Sequence, residues 1–265
     1  IAPVWSPDGR SVAYFSDKSG EYRLYIAPQD GISAAREIVL PEPSRPYSPA
    51  WSPNGKKIAF QDTHFRLWTV DVATGAAKVG DTDPYFMADR SIVPVWSPDS
   101  RWIAYPKRLK SLFRAIFVLD AENGQVHQLT DGMADATSPA WDASGKYLWF
   151  MASTDFGLNS SLLDMSKYDR PDTRALYLTM LTKGEASPLL PESDEEGARV
   201  RTDSTRTPGD SARSGPRAVA IDFDGIQQRV VVVPGITERD YSQLRAGPAG
   251  TVFFLEAILA TGTGG

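Results

Sequence analysis

Few residues in this chain could do acid–base or nucleophilic chemistry. Two histidines, His64 and His127, are all that 265 residues provide, and there is no cysteine. Without cysteine there is no thiolate metal cluster, no disulfide framework and no cysteine nucleophile. His64 follows Asp62 by two positions, in the short connection between Phe60 and Leu67. His127, flanked by Val126 and Gln128, sits in a strand-like segment and reads as an edge or packing residue. No Ser-His-Asp arrangement follows from spacing, because triads are defined by geometry. Neither a His/Asp/Glu metal spacing nor a glycine-rich phosphate loop is present. No catalytic residue, metal site or cofactor is therefore expected within the chain.

Charge and hydropathy exclude further classes. Lys and Arg number 28 against 33 Asp and Glu, a formal charge of −5. This mildly acidic balance gives no electrostatic reason to expect nucleic acid as a partner. Apolar runs such as Val230 to Val233 fall far short of the roughly 18 residues that span a bilayer, so no membrane segment is expected.

The elements that carry these residues follow from a repeat. Pro3-Val4-Trp5-Ser6-Pro7-Asp8-Gly9 returns as Pro49-Ala50-Trp51-Ser52-Pro53-Asn54-Gly55, then as Pro94-Val95-Trp96-Ser97-Pro98-Asp99-Ser100. A weaker copy reads Pro139-Ala140-Trp141-Asp142-Ala143-Ser144-Gly145. Trp5, Trp51, Trp96 and Trp141 are thus 46, 45 and 45 residues apart. After each turn comes a short aromatic or β-branched segment, such as Val12-Ala13-Tyr14-Phe15 and Ile103-Ala104-Tyr105, which reads as a strand. Third strands are expected at Tyr22 to Ile26, Leu67 to Val70, Ala115 to Leu119 and Ala175 to Met180. Fourth strands are legible at Glu37 to Leu40 and Val126 to Thr130.

Four short antiparallel strands in about 45 residues match one blade of a β-propeller. The expected fold is all-β: four-stranded antiparallel blades forming a truncated part of a seven-bladed ring. The repeated tryptophans read as plugs between blades. Asp8, Asn54 and Asp99, with Gly9, Gly55 and Gly145, read as turn residues, not catalytic carboxylates. The expected organisation is blades over 1–190, with repeats near 1–47, 48–92, 93–137 and 138–190. An exposed, disordered insertion follows at 191–217, where apolar residues are too few to offset ordering entropy. Further partial blades are expected over 218–256 and an unstructured tail over 257–265. Within 218–256, Ala218 to Ile221 and Arg229 to Val233 read as the last two strands of a blade. Residues 242 to 255 open the next one, with Gly250 in its turn. The chain so read is a piece of a longer polypeptide, holding five to six blades in part or whole.

The Trp-Ser-Pro-Asp-Gly unit resembles the WD40-like repeat of TolB-type propellers. Longer strings are similar to propellers of tricorn-type serine proteases. They include Ser16-Asp17-Lys18-Ser19-Gly20-Glu21-Tyr22, Arg114-Ala115-Ile116-Phe117-Val118, Leu129-Thr130-Asp131-Gly132-Met133 and Ala152-Ser153-Thr154-Asp155-Phe156-Gly157. Ile221-Asp222-Phe223-Asp224-Gly225-Ile226-Gln227-Gln228-Arg229 continues the resemblance, which covers about residues 1 to 256. It implies the second propeller of a multidomain serine peptidase that degrades oligopeptides, with PDZ-like and catalytic domains in the same polypeptide. It also implies homo-oligomers and a cytoplasmic location, with the periplasm as the alternative. The catalytic motifs of that family would lie downstream, and none is placed here. The rival functions are a TolB-type protein-binding propeller and the propeller of a prolyl-oligopeptidase-like hydrolase.

Two connections between second and third strands exceed what a blade requires. One carries Lys107, Arg108, Lys110 and Arg114; the other runs from Ser153 to Arg174. Both should open on one face, because strand direction repeats from blade to blade. The expectation is that they shape a mouth of the central channel or dock a neighbouring domain. The alternative is a solvated basic loop and a partly ordered cover.

Overall fold

The computed structural model describes residues 3–85, 92–155, 173–189 and 218–257. The segments expected as a disordered insertion and as a tail beyond 257 lie outside the described residues, as does most of the second long connection. The first sheet contains β1 (Val4–Trp5), β2 (Ser11–Ser16), β3 (Arg23–Pro28) and β4 (Arg36–Ile38) in sequence order. The second contains β5 (Pro46–Trp51), β6 (Lys57–Asp62), β7 (Arg66–Asp71) and β8 (Ala77–Thr82). The third repeats this with β9 (Val95–Trp96), β10 (Trp102–Arg108), β11 (Arg114–Asp120) and β12 (Val126–Gln128). All these pairings are antiparallel.

The turn between first and second strands shows why the repeat has its composition. Ser6 Oγ donates to Asp8 Oδ1 at 2.6 Å and accepts the main-chain N–H of Ser11 at 2.9 Å. Ser97 and Asp99 do the same with Trp102, and Ser52 and Asn54 with Lys57. The next position lies in left-handed backbone, with φ 70° at Gly9 and 69° at Gly55. That region suits glycine, which has no Cβ to clash. In the fourth copy the polar pair is exchanged: Asp142 takes the serine position and Ser144 donates to it.

The fourth sheet departs from the expected blade boundaries. Its strands are β13 (Asp135–Trp141), β14 (Tyr147–Ser153), β15 (Ala175–Met180) and β16 (Val230–Val232), the last preceded by a 3₁₀ turn at Ile226–Arg229. Val230–Val232 does not close a separate blade; Tyr177 pairs with Val232 and Thr179 with Val230. Ala218 to Ile221 joins no ladder. It is held to the third sheet instead, with Val219 N–H donating to Asp99 Oδ2 at 2.7 Å. Trp102 Nε1 in turn donates to the Val219 carbonyl at 3.1 Å. A two-stranded sheet follows, of β17 (Tyr241–Ala246) and β18 (Val252–Glu256). Here Ala246-Gly247-Pro248-Ala249-Gly250 occupies the place of Trp51-Ser52-Pro53-Asn54-Gly55. A Cβ on Gly247 would lie 2.6 Å from the Phe253 ring, so the serine position has become glycine.

Apolar side chains fill the spaces between consecutive sheets. Phe15, Leu24, Ile58 and Phe60 pack between the first and second, and Leu67, Ile103 and Leu119 between the second and third. Ile116, Val118, Leu148 and Phe150 pack between the third and fourth, and Trp149, Leu176, Tyr241 and Leu244 between the fourth and fifth. Burying each such side chain stabilises by about 1.5–3 kcal/mol. No sheet could retain this stabilisation alone, since its partner face belongs to its neighbour. The first strands also neighbour one another in order: β1 on β5, β5 on β9, β9 on β13 and β13 on β17. They gather round one axis, and the fourth strands form the rim.

Candidate functional site

The wall round that axis is made by the free edges of the first strands. β5, β13 and β17 each carry a one-residue bulge at the same place. Pairing shifts between Tyr47 and Ala50, between Thr137 and Ala140, and between Ser242 and Arg245. At these bulges Ser48, Ser138 and Gln243 adopt positive φ angles of 49°, 52° and 54°. Each stands three positions before Trp51, Trp141 or Ala246, the residues at the plug position. The corresponding residue in the third sheet is Val93, exposed on the short approach to β9. Sequence reasoning missed this set. The available signal was the Ser-Pro pair at 48–49 and 138–139, repeated ahead of Ala-Trp.

The basic residues singled out from the sequence do not share one loop. Lys107 and Arg108 end β10 and Arg114 begins β11; Arg108 and Arg114 are cross-strand partners. Lys107 Nζ lies 2.8 and 2.9 Å from the two carboxylate oxygens of Asp81, at the end of β8. Tyr105 donates its hydroxyl to the same carboxylate at 2.5 Å. Burial, reinforced by Asp81, pushes the Tyr105 phenol well above its usual range. Arg108 pairs with Asp83 at 3.4 Å, both side chains being buried. Arg114 reaches forward to the fourth sheet, where Asp135 accepts its main-chain N–H and its Nε–H, each at 2.9 Å. Lys110 alone of the four stands exposed at the hairpin tip, without an ion pair among the described residues. Lys107, Arg108 and Arg114 therefore join blades 2, 3 and 4 along one face.

Neither histidine is set up as a base. The Asp62 carboxylate is buried and accepts Nε–H of Arg66 and Nε1–H of Trp68, each at 2.8 Å. Burial pushes this carboxyl up, but the bonds from Arg66 and Trp68 outweigh it and hold the group below its usual range. His64 Nδ1 lies 3.2 Å from Arg66 Nη2, and its ring is mostly exposed. His127 stacks on Phe223, with ring centres 3.7 Å apart. Among the described residues no three His, Asp or Glu side chains converge as a metal site. A cavity of about 200 Å³ beside the fourth sheet is lined by Met133, Phe150 and Tyr177 among others. Its titratable lining groups are Asp131 and Tyr177.

Four-stranded sheets stacked round an axis, sealed by inter-sheet cores and tied by one recurring turn, define a β-propeller. Within that class the chain belongs to a particular family: residues 3–261 match the tricorn protease second beta propeller domain. It is 26% identical over 249 residues to tricorn protease homolog 1 of Streptomyces coelicolor, covering 91% of this chain and 22% of that protein. It is 30% identical over 156 residues to the uncharacterized peptidase YuxL of Bacillus subtilis, covering 57% of this chain and 21% of that protein. The crystal structure of the tricorn protease superimposes with a TM-score of 0.64 at 20% identity, covering 90% of this chain and 22% of that one. The chain thus spans about a fifth of the length of the curated relatives it matches, which imply a peptidase as the parent protein.

Proposed function

We propose that this chain is the substrate-gating propeller of a tricorn-like serine peptidase that degrades oligopeptides. The observation that carries this reading is the gathering of five first strands round one axis, in a chain of the tricorn second-propeller family. An axial opening walled by strand edges admits an extended peptide and excludes a folded protein by size. Hydrolysis belongs to a catalytic domain of the same polypeptide, with a PDZ-like domain beside it. Homo-oligomeric assembly and a cytoplasmic location complete the proposal.

A cysteine introduced into these cysteine-free 265 residues makes a direct test, once any cysteine elsewhere in the polypeptide is replaced. In the full-length polypeptide, Val93→Cys can be labelled with a bulky maleimide on the channel wall. Peptide hydrolysis should fall on labelling and recover when a cleavable label is removed. Unchanged hydrolysis would overturn the channel and leave a protein-docking role. The 265-residue chain alone should not turn over fluorogenic peptides, and measurable turnover would place the chemistry within it.

A further inference from the structure

We propose that Ser48, Ser138 and Gln243 form a hydrogen-bonding collar on the channel wall that holds the main chain of an extended peptide irrespective of its sequence. This rests on the channel reading above. The three residues occupy one aligned position on β5, β13 and β17, the strands nearest the axis. A bulge re-aims the side chain it carries and leaves its own main chain outside the ladder. All three sit in left-handed backbone although none is glycine. The same chain places glycine at other such positions, including Gly9, Gly55, Gly145 and Gly250. A side chain kept where glycine would relieve strain points to a use for that side chain.

The chemistry fits a peptide backbone. Ser hydroxyl and Gln carboxamide groups each donate and accept, as do the N–H and C=O groups of an extended chain. None of the three side chains has a hydrogen-bond partner among the described residues. Their strands also keep one main-chain edge free, the feature to which extended peptides add in strand fashion. The collar is uncharged, while Lys107, Arg108 and Arg114 are engaged by Asp81, Asp83 and Asp135. Among the described residues at this aligned position, Val93 is the apolar one.

The test compares two triple variants of the full-length polypeptide, Ser48→Ala/Ser138→Ala/Gln243→Ala and Ser48→Gly/Ser138→Gly/Gln243→Gly. For oligopeptide substrates, KM should rise about tenfold in both, from three lost hydrogen bonds, with kcat within about twofold. Acidic and basic peptides should be affected alike. The glycine variant should also melt at a higher temperature, so a purely structural role would raise its Tm and leave KM unchanged. Unchanged KM in a protein whose hydrolysis is blocked by the label at position 93 would overturn the collar and spare the channel. If that label has no effect, the channel reading itself fails. An effect confined to peptides of one charge would also overturn the proposal. Should the alanine variant not fold, the glycine variant decides alone.

Discussion

The indole Nε1–H of Trp96 donates to the main-chain carbonyl of Ala50, 3.0 Å away, tying the third blade to the residue just before the second blade's own tryptophan. Trp141 repeats the bond to Val95 at 2.9 Å, and Trp51 repeats it to Val4 at 3.3 Å. One contact therefore recurs at three successive interfaces, combining apolar contact with one directed hydrogen bond. Trp5 heads the series and is 61% exposed, against 7% for Trp96 and 3% for Trp141.

This ladder predicts unequal costs for one substitution. Trp96→Phe leaves most of the ring volume but strands the Ala50 carbonyl, at a cost of about 1–2 kcal/mol. In the 265-residue chain, Trp5→Phe removes no buried donor and should stay within about 0.5 kcal/mol of the parent. Urea unfolding of both variants measures the difference. Equal destabilisation would show that the indole bond contributes nothing beyond the ring.

The turn makes a second prediction. Ser100 has φ 67° where other blades have glycine, and its Oγ accepts the Asn54 N–H at 3.0 Å. Ser100→Ala keeps the strain and loses the acceptor, costing about 1 kcal/mol. Ser100→Gly loses the acceptor but relieves roughly 1 kcal/mol of backbone strain, so it should be nearly neutral. Gly9 has φ 70° and open space around it, so Gly9→Ala should cost about 1 kcal/mol for conformation alone. Thermal denaturation ranks the three.

Legibility in the sequence followed locality. The tryptophan period and the Asp-Gly turns are short-range signals, and all of the first three sheets but β8 could be traced from them. β8 was not readable, because Gly80, Lys78 and Asp81 give it no strand-like pattern. Gly80 is there for a tertiary reason: a Cβ would lie 2.4 Å from Leu119 of the next blade. That β16 completes the fourth sheet was not readable, because it pairs with β15 across a connection of about 50 residues, against the usual short hairpin. The basic residues were visible, but Asp81 and Asp135, which engage Lys107 and Arg114, come from other blades. Ser48 and Ser138 share a repeated Ser-Pro-Ala-Trp string, but that it forms a bulge shows only in the pairing with the neighbouring strand.

The ion pairs separate structural cations from an available one. Asp135 has no exposed side-chain surface and accepts three donors from Arg114. Asp135→Ala leaves those donors buried and should cost about 3 kcal/mol. Charge reversal at Lys107 or Arg108 would likewise oppose blades 2 and 3, and would confound any effect on peptide traffic. Lys110→Glu should change stability by less than about 0.5 kcal/mol. It is therefore the clean probe of whether this face selects peptides by charge. A large loss of stability for Lys110→Glu in urea unfolding would contradict its exposed, unpaired placement.

Asp142 sets a pH dependence. Burial raises its carboxyl pKa, but the Ser144 hydroxyl, the Gly250 N–H at 2.7 Å and the Trp149 indole outweigh burial and hold it below the usual value near ~3.9. The folded state therefore binds this proton more weakly than the unfolded chain. Its contribution is complete above the unfolded pKa and is lost as pH falls through the folded value. Stability should be level near neutrality and drop below about pH 4, joined by Asp62 and Asp120, whose carboxyls are lowered in the same sense. Asp142→Asn should cost about 1–2 kcal/mol at pH 7, because the amide is a weaker acceptor for the fifth blade and the Trp149 indole. It should also flatten the acid limb, so that variant and parent converge towards pH 2. Urea midpoints measured from pH 2 to 7 test this, and parallel curves would show that the Asp142 charge does not hold the fourth and fifth blades together.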